Sequence, residues 1–186
     1  MKTIVIDIDD CIANGSERCV RIFNRDKPDH IPLICENTIG YHSYQLLGIS
    51  FLDFFNETHF QELLPIVNSV ETLTILSEQY KILYLTARGH LRNGYDISKE
   101  WLLKYNYPLR EDIDKLVVVS GFESKAIHLK NLNLDVEFVL DDTTKNIDDY
   151  LNNKVANSYY MIDRSWNRDR RDLDQYRIKN IKEILK

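Results

Sequence analysis

The sequence predicts a parallel α/β fold, and three observations carry the prediction. Short apolar, β-branched runs alternate with stretches of helical period. Two of those runs, Ile4-Val5-Ile6 and Phe138-Val139-Leu140, drive straight into paired acidic residues. One aromatic-rich stretch, directly after the first run, breaks the rhythm. Near-continuous Val and Ile suit strands buried on both faces, the habit of central strands in parallel sheets. The carboxyl ends of such strands face the crevice where ligands bind.

The first strand is expected over residues 3 to 8, meeting Asp7, Asp9 and Asp10 at its end. Residues 13 to 67 show no clear buried strand. Their pattern reads as short helices, from Glu17 to Asn24 and from Ser50 to Leu64, around turns at Pro28 and Pro32. This divides the chain into a core of residues 1 to 12 and 68 to 186 and a helical cap of residues 13 to 67, hung over the first strand's carboxyl end. A helix near 68 to 79 has Asn68 and Glu71 at capping-box spacing and an apolar stripe of Val70, Leu73 and Leu76. Tyr80 to Leu85 reads as the second core strand. From Asp96 to Asn106 a helix places Ile97, Trp101, Leu102 and Tyr105 on one face, and Pro108 stops it. Lys115 to Val119 is the third strand, ending at Ser120-Gly121. A helix over 124 to 132, a strand from Val136 to Leu140, a helix over 143 to 152, a short strand from Tyr159 to Ile162 and a last helix from about 178 complete the core.

Composition narrows the class. The chain has 186 residues, 44% hydrophobic and 28% charged, which is ordinary for a globular protein. A net charge of −5, from 24 basic and 29 acidic residues, gives no long-range pull toward nucleic acid or anionic membrane. No apolar run approaches the roughly 18 residues needed to cross a bilayer, and the amino terminus meets Asp7 too soon for a secretory leader. A cytoplasmic protein is expected. The cysteines Cys11, Cys19 and Cys35 are odd in number and lack CxxC spacing, so neither a disulfide framework nor a zinc site is suggested. Cys11 adjoins the acidic cluster, but carboxylates raise a thiol pKa and suppress the thiolate, which favours packing over nucleophilic use.

Four places could carry chemistry. In an extended chain Asp7 and Asp9 project to the same side, so their carboxylates could converge above the sheet, which is costly without a cation. Thr86, in Leu85-Thr86-Ala87-Arg88-Gly89, could offer a hydroxyl and neighbouring N–H groups to an anion. Arg88 either binds phosphate or pairs with a nearby carboxylate. Lys125 opens a helix, where a cation opposes the dipole and is useful beside an anionic ligand. Asp141-Asp142 closes the fourth strand, and two acidic strand ends argue for a metal far more than one does.

Taken in order, these elements resemble the four motifs of the haloacid dehalogenase-like phosphohydrolase superfamily: Asp7 and Asp9, then Thr86, then Lys125, then Asp141 with Asp142. The likeness extends to the cytosolic-type 5′(3′)-deoxyribonucleotidases and their bacterial and phage relatives, through Leu64-Pro65, the Leu-Thr-Ala-Arg strand end and the segment Asp163-Arg164-Ser165-Trp166-Asn167-Arg168. Two positions depart from the usual pattern: Cys11 stands where Thr or Val is common, and Asp10 where Gly is frequent. The gap from Lys125 to Asp141 is also longer than in the compact deoxyribonucleotidases, which leaves Lys130 as an alternative to Lys125.

The resemblance implies a three-layer, Rossmann-like core under a small helical cap, and Mg²⁺-dependent hydrolysis of a phosphomonoester through an aspartyl phosphate. It makes Asp7 the nucleophile and Asp9 the general acid and base. Asp7, the Asp9 carbonyl and Asp141 are the expected metal ligands, with Asp142 orienting them or Lys125. Thr86, Ala87, Arg88 and Lys125 are assigned to phosphate. A nucleoside monophosphate is the implied substrate, with Tyr41, Tyr44, Phe51, Phe54 and Phe55 of the cap as candidates for stacking on a base. Another small phosphomonoester or a polynucleotide end, and a binding module that has lost the reaction, are the competing readings. The acidic balance weighs against long nucleic acid.

Overall fold

The computed structural model describes residues 1–26, 56–121 and 123–186. The strands are β1 (Thr3–Ile6), β2 (Lys81–Thr86), β3 (Lys115–Val118), β4 (Val136–Asp141), β5 (Ser158–Ile162) and the two-residue β6 (Arg177–Ile178). They form one parallel sheet in the order β3-β2-β1-β4-β5-β6. The helices are α1 (Gly15–Asp26), α2 (Glu57–Gln61), α3 (Ser69–Ser77), α4 (Gly94–Lys104), α5 (Lys125–Leu132) and α6 (Thr144–Asn153).

Alternation along the central strands builds two cores. Ile4 and Ile6 of β1 face a layer containing Leu73 and Leu76 of α3 and Trp101 and Leu102 of α4. Val5 faces the opposite layer, with Ala126 and Leu129 of α5 and Ile147 and Tyr150 of α6. The result is a three-layer α/β/α sandwich. Burying each such aliphatic side chain contributes about 1.5–3 kcal/mol, which is why the double-sided apolar runs occupy the middle of the sheet. The chain leaves β1 toward β2 on one side and later enters β4 on the other. The carboxyl ends of β1 and β4 therefore flank the point where strand order reverses, the usual place for a ligand in an open α/β sheet.

Three local expectations are corrected. The first strand ends at Ile6 rather than residue 8, because the Ile8 carbonyl accepts from Ile12 N (3.0 Å) and Ala13 N (2.9 Å) and turns the chain. Asn68 sits at φ 69 with no side-chain cap bond, so Asn68 and Glu71 form no capping box. In its place the Ser69 hydroxyl closes that turn on the Ile66 carbonyl at 2.6 Å. The last helix is instead β6 followed by a short 3-10 turn, Ile181–Leu185. There Asn180 caps the turn by accepting from Lys182 N, while Ile178 and Ile181 are buried.

The two crossings between core and insertion run side by side. Ala13 pairs with Pro65, Asn14 N donates to the Leu64 carbonyl at 3.0 Å, and Ile66 N donates to the Ile12 carbonyl at 2.8 Å. Near this neck Trp101 donates to the Leu63 carbonyl at 2.8 Å and stacks on Tyr107. Cys35, Tyr41, Tyr44, Phe51, Phe54 and Phe55 lie outside the described residues. Among the described residues, no helix is long and apolar enough to cross a membrane.

The start of β2 is held by a carboxylate. Asp114 accepts from Ile82 N at 2.7 Å and from Arg110 through both its backbone N–H and its guanidinium. Burial would raise the Asp114 pKa, but the bonds from Arg110 and Ile82 outweigh it and hold the group below its ordinary 3.8. A depressed carboxyl contributes stability that is present above the unfolded-state pKa and lost as pH falls through the folded one. Thermal unfolding of Asp114→Asn should therefore show a smaller loss of stability than the parent between pH 5 and the acid limb below about 3.8. Identical acid profiles would reject this account.

Candidate active site

The site grows from the end of β1. Asp7 N donates to the Leu140 carbonyl at 3.0 Å, which fixes the backbone just past the strand. Asp7 Oδ1 accepts from Ile8 N at 2.8 Å and lies 2.9 Å from Lys125 Nζ. The same ammonium is 3.0 Å from Asp141 Oδ2. Lys125 is buried at the first turn of α5, where Ser124 caps the helix by accepting from Ile127 N. Lys130 is exposed on the same helix. The geometry thus selects Lys125 as the lysine of the acidic cluster. Burial would lower its pKa, but Asp141 and Asp7 overrule that and keep it an ammonium.

Asp141 is fully occupied. Besides Lys125, it accepts from Thr143 N (2.9 Å), Asn146 Nδ2 (3.1 and 3.0 Å) and the Tyr150 hydroxyl (3.2 Å), and it has no exposed surface. Asp142 differs. Its carboxylate lies close to Asp7 and Cys11, with one potential ligand atom from each of the three within 4.8 Å of the others. Among the described residues this is the group of side chains able to share a cation. Of the pair, Asp142 is the member that lies beside Asp7 and Cys11, while Asp141 holds the lysine.

Asp9 lies under a different cation. Arg88 reaches its carboxylate with two bonds, Nε to Oδ2 at 2.9 Å and Nη2 to Oδ1 at 2.6 Å. Arg88 is itself 1% exposed, donates to Ser98 Oγ at 3.2 Å and lies 4.8 Å from the Phe60 ring centre. Of the two expectations for Arg88, the structure shows the carboxylate pairing. The Arg88 backbone packs closely on Gly94, where a Cβ would meet the Arg88 carbonyl at 2.3 Å. Thr86 is buried with its hydroxyl 3.4 Å from Asp9 Oδ2. Ala87 and Lys125 line a cavity of about 510 Å³ together with Gly121, Thr143 and Asn146. Because β1 stops at Ile6, strand alternation does not govern Asp7 and Asp9, and each faces its own cation.

Asp10 occupies the left-handed region at φ 57, which suits the position where Gly is frequent. Its carboxylate accepts from Ser16 N (2.8 Å) and Ser16 Oγ (2.6 Å) at the start of α1. Arg164 donates to its carbonyl at 2.9 and 2.5 Å. Cys11 is wholly buried, and burial with Asp142, Asp7 and Asp141 nearby pushes its thiol pKa up, consistent with packing. Cys19 is buried as well.

Five carboxylates (Asp7, Asp9, Asp10, Asp141, Asp142) thus share one strand-end region with three cationic side chains (Lys125, Arg88, Arg164). The imbalance shows in the titration of the buried acids. Burial, with repulsion from Asp141 and Asp9, raises Asp7 to about 7 despite Lys125. Burial and the neighbouring acids Asp141, Asp10 and Asp7 hold Asp142 well above the ordinary range. Excess negative charge among hard oxygen ligands is what a divalent cation such as Mg²⁺ relieves, so the residues fit that ion.

Sequence reading did not assign Trp166, Asn167, Arg164, Asn146, Tyr150 or Ser98. Trp166 Nε1 donates to Asp142 Oδ2 at 2.9 Å, and Asn167 Nδ2 donates to the Asp142 carbonyl at 2.8 Å. The run from Asp163 to Arg168 was legible as a motif, but nothing local shows which acid it touches. Asn146 and Tyr150 stand five and nine positions after Asp141, on the face of α6 turned to the sheet. The expected helix over 143 to 152 already sets Asn146 and Tyr150 on one face; that this face meets Asp141 follows only from the fold.

No family model matches the sequence. A Bacillus subtilis (strain 168) protein named "Putative nucleotidase YqfW" is 29% identical over 145 residues, spanning 74% of this chain and 69% of that protein. Among solved structures, a haloacid dehalogenase-like hydrolase from Streptococcus pneumoniae superposes with a TM-score of 0.68 at 14% identity, covering 100% of this chain and 97% of that one. The "putative HAD-hydrolase YfnB" of Bacillus subtilis, solved bound to magnesium, gives 0.61 at 13% identity over 99% and 96% of the two chains.

Removing one partner of a buried ion cluster strands the others, at a cost of about 3–5 kcal/mol. Urea unfolding of Lys125→Met at neutral pH should show a loss of about that size, against roughly 0.5 kcal/mol or less for Lys130→Met on the exposed face. Equal effects of the two substitutions would remove Lys125 from its place at the centre of the cluster.

Proposed function

We propose that this chain, which has the haloacid dehalogenase-like hydrolase fold, is a Mg²⁺-dependent phosphatase of small phosphomonoesters and that nucleoside monophosphates are its substrates. The observation that carries the reading is the buried set Asp7, Lys125, Asp141 and Asp142 at the strand-order reversal, with Asp9 beside it. The nucleotide half of the proposal is supported by the name of the Bacillus relative and by the resemblance of the Leu85 to Arg88 and Asp163 to Arg168 segments to deoxyribonucleotidases. A Mg²⁺ ion would be held by the carboxylates of Asp7 and Asp142 and the carbonyl of Asp9, and would supply charge neutralisation for an anionic nucleophile meeting an anionic phosphate.

The chain's own residues divide the chemistry. The Asp7 carboxylate attacks phosphorus, forming the acyl-phosphate O–P bond as the ester P–O bond breaks. Asp9 gives its proton to the leaving alkoxide, then accepts one from the water that attacks the phosphoryl-enzyme and restores Asp7. Arg88 holds Asp9 by two bonds, so that carboxylate is oriented before substrate arrives. Lys125 binds a non-bridging phosphate oxygen while opposing the upward shift of the Asp7 pKa, with the Thr86 hydroxyl and the Ala87 N–H as further donors. Asp141 contributes by fixing Lys125. The insertion, residues 13 to 67, serves as the cap, and its aromatics Tyr44, Phe51, Phe54 and Phe55 are the candidates for the base.

A competing substrate class would use the same core. Hydrolysis assays on nucleoside monophosphates, sugar phosphates and a 3′-phosphorylated oligonucleotide should show the mononucleotides turned over fastest and chelator abolishing turnover. Equal rates across the panel would remove the nucleotide claim and leave the phosphatase. Asp7→Asn should lower kcat by at least about 10³-fold, as loss of a covalent nucleophile does in other hydrolases. Activity surviving both chelator and that substitution would sink the mechanism. Asp142→Asn should raise the half-saturating Mg²⁺ concentration by more than about tenfold, and an unchanged Mg²⁺ dependence would return the ligand role to Asp141.

A further inference from the structure

We propose that Trp166 is a positioning residue for the metal centre, holding the Asp142 carboxylate in place without neutralising it. The inference rests on the Mg²⁺ reading above and adds a residue outside the four acidic, threonine and lysine motifs. Each other acid of the cluster has strong fixed partners: Asp7 and Asp141 have Lys125, Asp9 has Arg88, and Asp10 has Ser16. Among the described residues, the bonds that Asp142 accepts at its carboxylate come from neutral donors, the Trp166 indole at 2.9 Å and the Thr143 hydroxyl at 3.3 Å. An indole N–H can donate but never accept, so it fixes Oδ2 in one sense only. Unlike Lys or Arg, it leaves the negative charge available to a cation.

The indole is itself held by a short 3-10 turn, Ser165–Asn167, that bridges two acidic loops. Asn167 is fully buried, and its Nδ2 ties the Asp142 carbonyl (2.8 Å) to the Ile162 carbonyl (2.8 Å) at the end of β5. Its Oδ1 accepts from Arg164 N at 3.2 Å. The Arg164 guanidinium then reaches across to the Asp10 carbonyl, three residues past Asp7. One turn thereby sets the spacing between the two loops whose carboxylates, Asp7 and Asp142, must face the same ion. Removing an outer partner of a metal ligand typically costs about 10–100-fold in metal affinity or activity.

The test uses Mn²⁺ as a countable probe, with free Mn²⁺ read by electron paramagnetic resonance. The unsubstituted 186-residue chain should bind it, and Trp166→Phe, which keeps an aromatic ring but removes the N–H, should bind it about 10–100-fold more weakly while melting normally in metal-free buffer. Activity lost by Trp166→Phe at low Mg²⁺ should return as Mg²⁺ is raised, and Trp166→His, which restores a ring N–H, should recover part of the affinity. Equal Mn²⁺ affinity in wild type and Trp166→Phe would overturn the proposal and leave the metal reading intact. Absence of Mn²⁺ binding by the wild type would overturn the metal reading itself. A second measurement needs no variant: the other tryptophan, Trp101, is buried and bonded to the Leu63 carbonyl, so emission changes on adding Mg²⁺ report Trp166. Emission that shifts along the Mn²⁺-competed binding curve supports the assignment. Emission that stays constant while metal binds rejects it.

Discussion

The ammonium of Lys125, buried between Asp7 and Asp141, is the constraint on which the site depends. Both carboxylates are buried, and removing an ion from water costs several kcal/mol even after relaxation, a cost that a cation within 3.0 Å of each offsets. The lysine must therefore come from a helix that begins at the strand ends, and Ser124 supplies that beginning by capping α5. Asp141 must in turn be held by something other than a metal, and α6 provides Asn146 and Tyr150 for that purpose. Two helices and two strands are thus committed to the placement of one positive charge.

The rest of the cluster follows from where that charge is not. Arg88, two residues past the end of β2, meets Asp9 with its guanidinium, and its backbone is packed so closely against Gly94 that a Cβ there would clash with the Arg88 carbonyl. Among the described residues Asp142 receives neutral donors at its carboxylate, so the net negative charge of the region concentrates at Asp142 and Asp7. The raised pKa of both acids expresses the same imbalance, and its cause is burial reinforced by like charge. A parallel sheet makes this possible because its strand ends converge all their backbone termini and loops on one edge.

The core was legible where the sequence pattern and the physics share a period. Two-sided apolar strands, the helix carrying Ile97, Trp101 and Leu102, and the acidic ends of β1 and β4 all read directly from local spacing. Boundaries drifted where a turn bond decided them, as at Ile8 and Asn68, because a hydrogen bond between residues four or five apart leaves no mark on hydrophobic period. The sixth strand was missed since two residues, Arg177 and Ile178, are too few to show alternation.

What the sequence determined by itself is the inventory: which acids, which lysine and which hydroxyl stand at strand ends, and in what order. What only the tertiary structure decided is their pairing. Whether Lys125 or Lys130 enters the cluster depends on which face of α5 meets the sheet, and whether Asp141 or Asp142 faces Asp7 depends on where β4 ends and the chain turns. Adjacent residues on an extended chain point to opposite sides, so a one-residue shift exchanges their roles. Trp166, 24 positions beyond Asp142, contributes its bond through folding alone.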